Sequence, residues 1–144
     1  MAERRLSREA RYIAANPVDG VTIKISDNDI KRWLITIQGP ADSPYEGQTY
    51  SVRFDFPITY PFSPPTIVMS TAILHPNISH RGDICLAILK EDWAPLNTTK
   101  KVIEQLLTIL TVPNIDDPLD VGAAALYVND YPEFVRRVAE RYGS

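Results

Sequence analysis

Cysteine is nearly absent from this chain: Cys85 is the only one among 144 residues. A single thiol excludes an internal disulfide, so a reducing compartment is expected, the cytoplasm, the nucleus or both. No apolar run approaches the roughly 18 residues that a membrane span needs, so no membrane association is expected. Met1-Ala2-Glu3-Arg4-Arg5 leads into an amphipathic pattern, not into the apolar stretch of a signal peptide. Neither sign of charge dominates. A formal net charge of −3 lacks the positive excess that marks nucleic-acid binders, and none is expected as a partner. Repeats and low-complexity segments are also missing.

Proline, by contrast, is abundant. Twelve prolines include Pro57, Pro61, Pro64, Pro65, Pro76 and Pro95 in the middle of the chain, which implies fixed, irregular connections there. Leu6, Ala10, Ile13 and Ala14 recur at helical spacing, predicting an amphipathic helix over 3–15 that stops before Asn16-Pro17. The first eleven residues carry +2 and the remainder −5. The basic face of that helix (Arg4, Arg5, Arg8, Arg11) is either a solvated surface or a docking surface for an acidic partner. Four alternating apolar runs follow: Val21/Ile23/Ile25, Trp33/Ile35/Ile37, Tyr50/Val52/Phe54/Phe56 and Ile67-Val68-Met69. Joined by short turns, they predict an antiparallel meander.

Residues 70–97 keep no period of 2 or 3.6, yet hold Ile84, Leu86, Ile88, Leu89 and Trp93. Too apolar for disorder, this stretch reads as an ordered functional loop. Helical spacing returns with Val102, Ile103, Leu106, Leu107 and Leu110, in a helix that starts at Thr98 or Thr99 and is ended by Pro113. Val121–Val128 follows as a short helix capped by Asp120. A last helix runs to Tyr142, with Phe134, Val135 and Val138 expected inward. One helix, a four-stranded antiparallel meander, an active-site loop region and three helices give an α+β fold in one domain, residues 1–144.

A lone cysteine is by default a buried, inert hydrophobe. Cys85 departs from that default because it lies in the loop region, close in sequence to the amide of Asn77. An ordinary thiol is only a few per cent thiolate at pH 7. That is too little to attack amides unaided, and enough to attack an acyl group already activated as a thioester. A cysteine hydrolase would need His75 or His80 as base with an orienting group, but no hydrolase motif surrounds Cys85. His75, His80 and Cys85 also lack the tight spacing of a zinc site, so no metal is expected. His75 with Pro76 reads as structural support for the loop.

His75-Pro76-Asn77-Ile78, Gly82, Ile84-Cys85-Leu86, Ile88-Leu89, Trp93 and Pro95 together resemble the active-site signature of ubiquitin-conjugating enzymes. Further matches are Trp33, Gly39-Pro40, Ser43-Pro44-Tyr45-Glu46-Gly47, Tyr60-Pro61-Phe62-Ser63-Pro64-Pro65 and Pro113-Asn114-Ile115-Asp116-Asp117-Pro118-Leu119. The resemblance covers essentially the whole chain and implies a minimal catalytic core, a monomer with no cofactor of its own, since ATP is used by the activating enzyme. It implies that Cys85 takes ubiquitin as a thioester from that enzyme and passes it to a substrate lysine or a ligase cysteine.

The same resemblance assigns the remaining residues. Asn77 matches an asparagine that stabilises the oxyanion or holds the nearby loop; one such donor is worth roughly 3–4 kcal/mol. Asp117 matches an acidic gate that orients the lysine and takes its proton, although Asp116-Asp117-Pro118 also suits a simple helix start. Phe62, Pro95 and Leu96, with Arg4, match the surface gripped by RING or HECT ligases, and Arg4, Arg5 and Arg8 match the helix that meets the activating enzyme. Two positions depart from the pattern: Ala87 stands where an aspartate is common, and Glu104 where an apolar residue faces the carried ubiquitin. A non-catalytic ubiquitin-binding variant is the main alternative, weakened by the retention of Cys85, Asn77 and Asp117. Conjugation of another ubiquitin-like protein is a third reading.

Overall fold

A computed structural model describes all residues, 1–144. Helix α1 spans Ala2–Ala15 and buries Ala2, Leu6, Glu9 and Ile13. Pro17 pushes Asn16 out of the helical region, and Asn16 leaves at φ −131°, ψ 67° while its side chain bonds the Tyr12 carbonyl. Strands β1 (Val21–Ile25), β2 (Arg32–Gln38), β3 (Thr49–Asp55) and β4 (Thr66–Met69) pair in sequence order, each antiparallel to the next. This is the meander that the alternating runs imply.

The register explains the alternation. Trp33 faces Phe54, Ile35 faces Val52 and Ile37 faces Tyr50, while Phe54 and Val52 meet Ile67 and Met69. All eight are buried, because period-2 side chains share one face of the sheet. Leu34 points to the other face and is exposed. Phe56 falls one residue beyond β3 yet stays buried, its N–H bonding Lys31.

Residues 70–97 are ordered without long elements. Isolated bridges join Val68 to Asp83, His75 to Ile78 and Ile78 to Ile84, and a single 3-10 turn covers Ala87–Leu89. Ile73, Leu74, Ile78, Leu86 and Ile88 fix this segment to the core. Gly82 is required where it stands. Its φ is +94°, and a Cβ there would lie 2.1 Å from the Met69 carbonyl oxygen. Only glycine permits this approach, by which Met69 N–H bonds the Gly82 carbonyl and pins the loop to β4.

Three helices complete the α+β fold: α2 (Thr99–Thr111), α3 (Val121–Asn129) and α4 (Tyr131–Tyr142). Thr98, Asp120 and Asp130 cap them, accepting from Lys101, Ala123 and Glu133 N–H respectively. Val102, Ile103, Leu106 and Leu110 are buried, and Lys101, Glu104, Gln105 and Thr108 form the exposed stripe. The expectation for Val135 needs correction. Phe134 and Val138, four apart, share the inward face, whereas Val135 is turned about 100° from Phe134 and is exposed. No helix is long and apolar enough to cross a membrane.

Candidate active site

The site begins with a carbonyl that has lost its partner. In α2, the residue four beyond Ile109 is Pro113, which has no N–H. His75 fills the gap, its Nε2 lying 2.6 Å from the Ile109 oxygen. On the other side of the ring, the Asn77 N–H donates to Nδ1 at 2.9 Å. Both bonds are satisfied by one neutral tautomer, with the proton on Nε2. Burial pulls the His75 pKa down to about 4, against a smaller opposing effect of the Ile109 bond. Tyr45 stacks on the ring, and its hydroxyl donates to the Leu74 carbonyl. His75 is therefore neutral and fully occupied, so it is no base for a thiol.

Asn77 is the hub that His75 positions, and it is buried. Its carbonyl accepts the Cys85 N–H at 3.0 Å. Its side-chain amide binds the Asn114 backbone in both directions, Nδ2 donating at 2.8 Å and Oδ1 accepting at 2.8 Å. One amide proton of Nδ2 remains outside this pair. Of the two roles the resemblance offers Asn77, holding the loop is the one its bonds display.

The loop so held carries Asp117. Its far end is tied by Leu119 and Asp120, whose N–H groups both donate to the Pro76 carbonyl, at 2.9 and 3.0 Å. Residues 75–77 thus clamp the 114–120 loop at both ends, leaving Asp116 and Asp117 exposed between the anchors.

Cys85 is half-buried. Neither histidine serves it, since His80 Nε2 lies 3.4 Å from Asp120 Oδ2. The polar side chain that does reach the sulfur is Lys90, whose Nζ lies 3.5 Å from Sγ. Sequence reading missed this contact, because it depends on the 3-10 turn returning the chain after five residues, with no periodicity to announce it. Ala87 is exposed at the start of that turn, and its carbonyl accepts from both Lys90 and Asp92. No group of three or more His, Cys, Asp or Glu is arranged to hold a metal ion.

Beyond the thiol, the Trp93 indole donates to the Pro61 carbonyl at 3.0 Å and packs near Tyr60. This brings the 60–63 turn beside the 93–97 loop. Phe62 and Leu96 are 65% and 90% exposed there, with Pro95 also exposed.

The arginines of α1 separate into two kinds. Arg4 and Arg8 are exposed. Arg5 is committed inward: Nε bonds Glu9 at 2.7 Å and a terminal nitrogen bonds the Asn97 carbonyl at 2.9 Å. Glu9, buried, also accepts from the Tyr60 hydroxyl and from the Thr99 N–H at the start of α2. A carboxylate at a helix N-terminus offsets its unpaired N–H groups and dipole. Glu9 thereby joins α1, the Tyr60 turn and α2, a role its position on a helix did not announce.

Comparison with known proteins places this arrangement. A family model described as ubiquitin-conjugating enzyme matches residues 5–142. A curated relative from Schizosaccharomyces pombe, named ubiquitin-conjugating enzyme E2 14, is 40% identical over 134 residues, covering 92% of this chain and 86% of the relative.

Proposed function

The chain belongs to the ubiquitin-conjugating enzyme family, and from that premise we propose that Cys85 carries ubiquitin as a thioester between an activating enzyme and an acceptor. In loading, the Cys85 thiolate attacks the thioester carbonyl presented by the activating enzyme. A carbon–sulfur bond forms, and the other enzyme's thiolate leaves. In discharge, a substrate amine or a ligase thiol attacks the Cys85 thioester, and Cys85 leaves as thiolate. Each step starts from an already activated thioester, and ends either in another thioester or, with an amine, in a more stable isopeptide, so the cysteine needs no resident base of the His–Cys kind.

The observation that carries this reading is the Asn77 hub. One residue fixes the Cys85 backbone through its carbonyl and the Asp117 loop through its side chain. Nucleophile and candidate proton acceptor are then held relative to each other, as acyl transfer to lysine demands. Asn77 serves first as the positioning residue, with its remaining amide proton available to an oxyanion. Asp117 orients the incoming amine and takes its proton. Lysine is about 2,500-fold more often ammonium than amine at pH 7, so that proton must be removed.

Residues 1–144 act as one catalytic unit and a monomer, with no cofactor of their own, in the cytoplasm, the nucleus or both. Arg4 and Arg8 meet the activating enzyme, whereas Arg5, which the resemblance groups with them, is bonded to Glu9 and the Asn97 carbonyl and supports the helix from within. Phe62, Pro95 and Leu96, flanked by Arg4, meet a RING or HECT ligase. The test is loading with activating enzyme, ATP and a panel of ubiquitin-like modifiers, resolved without reductant. A reductant-sensitive adduct with ubiquitin supports the reading. Loading only with another modifier reassigns the cargo, and binding of ubiquitin without loading marks a non-catalytic relative.

A further inference from the structure

Helix α3 departs from the usual pattern of a surface helix. Its residues, Val121–Asn129, include no charged side chain. A helix apolar all round is normally buried all round, yet only Ala123 and Ala124 of α3 are buried. Val121, Ala125 and Val128 recur at helical spacing on the outward face, and the two valines are 71% and 62% exposed. Leu119 before the helix, and Tyr131 and Val135 in α4, are exposed as well.

The charge around this face is one-sided. No Lys, Arg or His stands between Lys101 and Arg136, whereas Glu104, Asp116, Asp117, Asp120, Asp130 and Glu133 do. Asp120 is occupied as the cap of α3 and by His80, and Glu133 by Arg136 and Arg137. Asp116 and Asp117, just before α3, and Asp130, just after it, are exposed and enter no ion pair. The nearest cations are engaged: Arg136 bonds Glu133 and Glu140, and Arg141 donates to the Ile73 carbonyl. An apolar strip with free carboxylates at both ends complements a segment that is both apolar and cationic. The strip also starts at the active site, since the Leu119 and Asp120 N–H groups bond the Pro76 carbonyl beside Asn77.

Resting on the reading of Cys85 as the thioester carrier, we infer that the outer face of α3 docks the acceptor protein. Its occupant is an apolar segment flanked by Lys or Arg, which lies along Val121, Ala125 and Val128 and delivers its lysine past Asp117. From Val121 to Val128 is about 10 Å along the helix axis, the reach of about three residues of extended chain. Two apolar side chains three apart therefore match the strip, and the cations beside them meet Asp116, Asp117 and Asp130. Docking adds no chemical step. It raises the local concentration of the lysine that the discharge step consumes, so it acts at limiting acceptor and vanishes at saturation.

The experiment times discharge of the full chain, loaded with ubiquitin, after the activating enzyme is stopped with EDTA. The acceptors are free lysine and peptides with one lysine, flanking arginines and two leucines three apart, made in both chain directions. At limiting concentration one of these peptides should discharge the enzyme on the order of tenfold faster than its counterpart with serines for the leucines, the yield of burying about two methylene groups. Glutamates in place of the arginines should remove the advantage. Val121→Ser with Val128→Ser, and separately Ala125→Arg, should also remove it, while the urea midpoint and discharge to free lysine stay as in wild type. If the double variant fails to fold, Ala125→Arg alone decides. Equal rates for leucine and serine peptides, a leucine advantage that survives in Ala125→Arg, or an equal fall in discharge to free lysine overturns the inference and leaves the thioester reading intact. Self-association of the unloaded chain in sedimentation, lost in Ala125→Arg, gives the face to a second copy and also overturns it. Failure to load any modifier overturns both readings.

Discussion

The side-chain amide of Asn77 and the backbone of Asn114 form a closed pair, with N–H to oxygen bonds of 2.8 Å in each direction. Thirty-seven residues apart, the two join the loop before Cys85 to the loop that carries Asp117. Asn77→Ala removes both bonds made by a buried side chain and frees the Asn114 backbone from the loop before Cys85. It should lower stability by about 1–3 kcal/mol and slow discharge to lysine while a thioester still forms. Urea unfolding and a lysine-discharge assay check the two effects. Unchanged stability would remove the clamp from the account, and unchanged discharge would remove its catalytic meaning.

Asp117 is exposed at the middle of the clamped loop and makes no structural bond comparable to those of Asn114 or Asp120. Asp117→Ala should therefore leave the unfolding midpoint within about 0.5 kcal/mol. Discharge to lysine should slow by about 10²-fold, the usual scale for a lost general base. Discharge to a small thiol, which brings no ammonium proton to remove, should slow far less. Equal slowing with both nucleophiles contradicts the gate role.

His75 gives a pH signature. Its pKa falls from 6.5 in the open chain to about 4 in the fold, so the unfolded state binds the proton more readily. The neutral ring's contribution is fully present above pH 6.5. It is lost as pH falls toward 4, below which both states are protonated. The total is about 3 kcal/mol, from 1.36 kcal/mol per unit. Urea unfolding between pH 4 and 7 should show this slope above the contribution of carboxylates, and His75→Gln should lack it. A parallel pH profile in the variant contradicts a buried neutral His75.

Glu9 and Arg5 yield a contrast within one helix. Glu9→Ala leaves the Arg5 guanidinium, the Tyr60 hydroxyl and the Thr99 N–H without their shared acceptor. It should cost about 3 kcal/mol, read from the urea midpoint, and Arg5→Ala should also destabilise. Arg4→Ala and Arg8→Ala, both at exposed positions, should stay within about 0.5 kcal/mol of wild type and weaken loading by the activating enzyme instead. If Arg5→Ala is as harmless to stability as Arg4→Ala, the inward role of Arg5 is wrong.

These contrasts show where the sequence was legible. Trp33, Ile35 and Ile37 announce a half-buried strand because burial on one face enforces a period of 2, and Leu6 with Ile13 announces α1 because burial of one helix face enforces a period of 3.6. The cap Asp120 is visible because capping is local chemistry. Pro113 reads as a helix stop, but its missing N–H also leaves the Ile109 carbonyl for His75, and that pairing spans 34 residues. Arg5 reads as part of a basic helix face, because sequence gives spacing and not the Glu9, Tyr60 and Thr99 groups that meet across it. Hydrophobicity alone points Val135 inward, although its neighbour Phe134 already occupies that face. Lys90 beside Cys85 is not legible, because an irregular turn leaves no periodic trace.

The central claim is that the Cys85 sulfur itself carries the modifier, and one gel measures it: wild type and Cys85→Ser, each incubated with activating enzyme, ATP and ubiquitin. A brief reaction quenched without reductant preserves the adduct. Wild type should then give an adduct released by reductant. Cys85→Ser should give a slower-forming oxyester that survives reductant and is released by hydroxide, because an oxygen ester is not cleaved by thiols. Absence of a reductant-sensitive adduct on the wild-type chain, or its persistence in Cys85→Ser, would contradict the account.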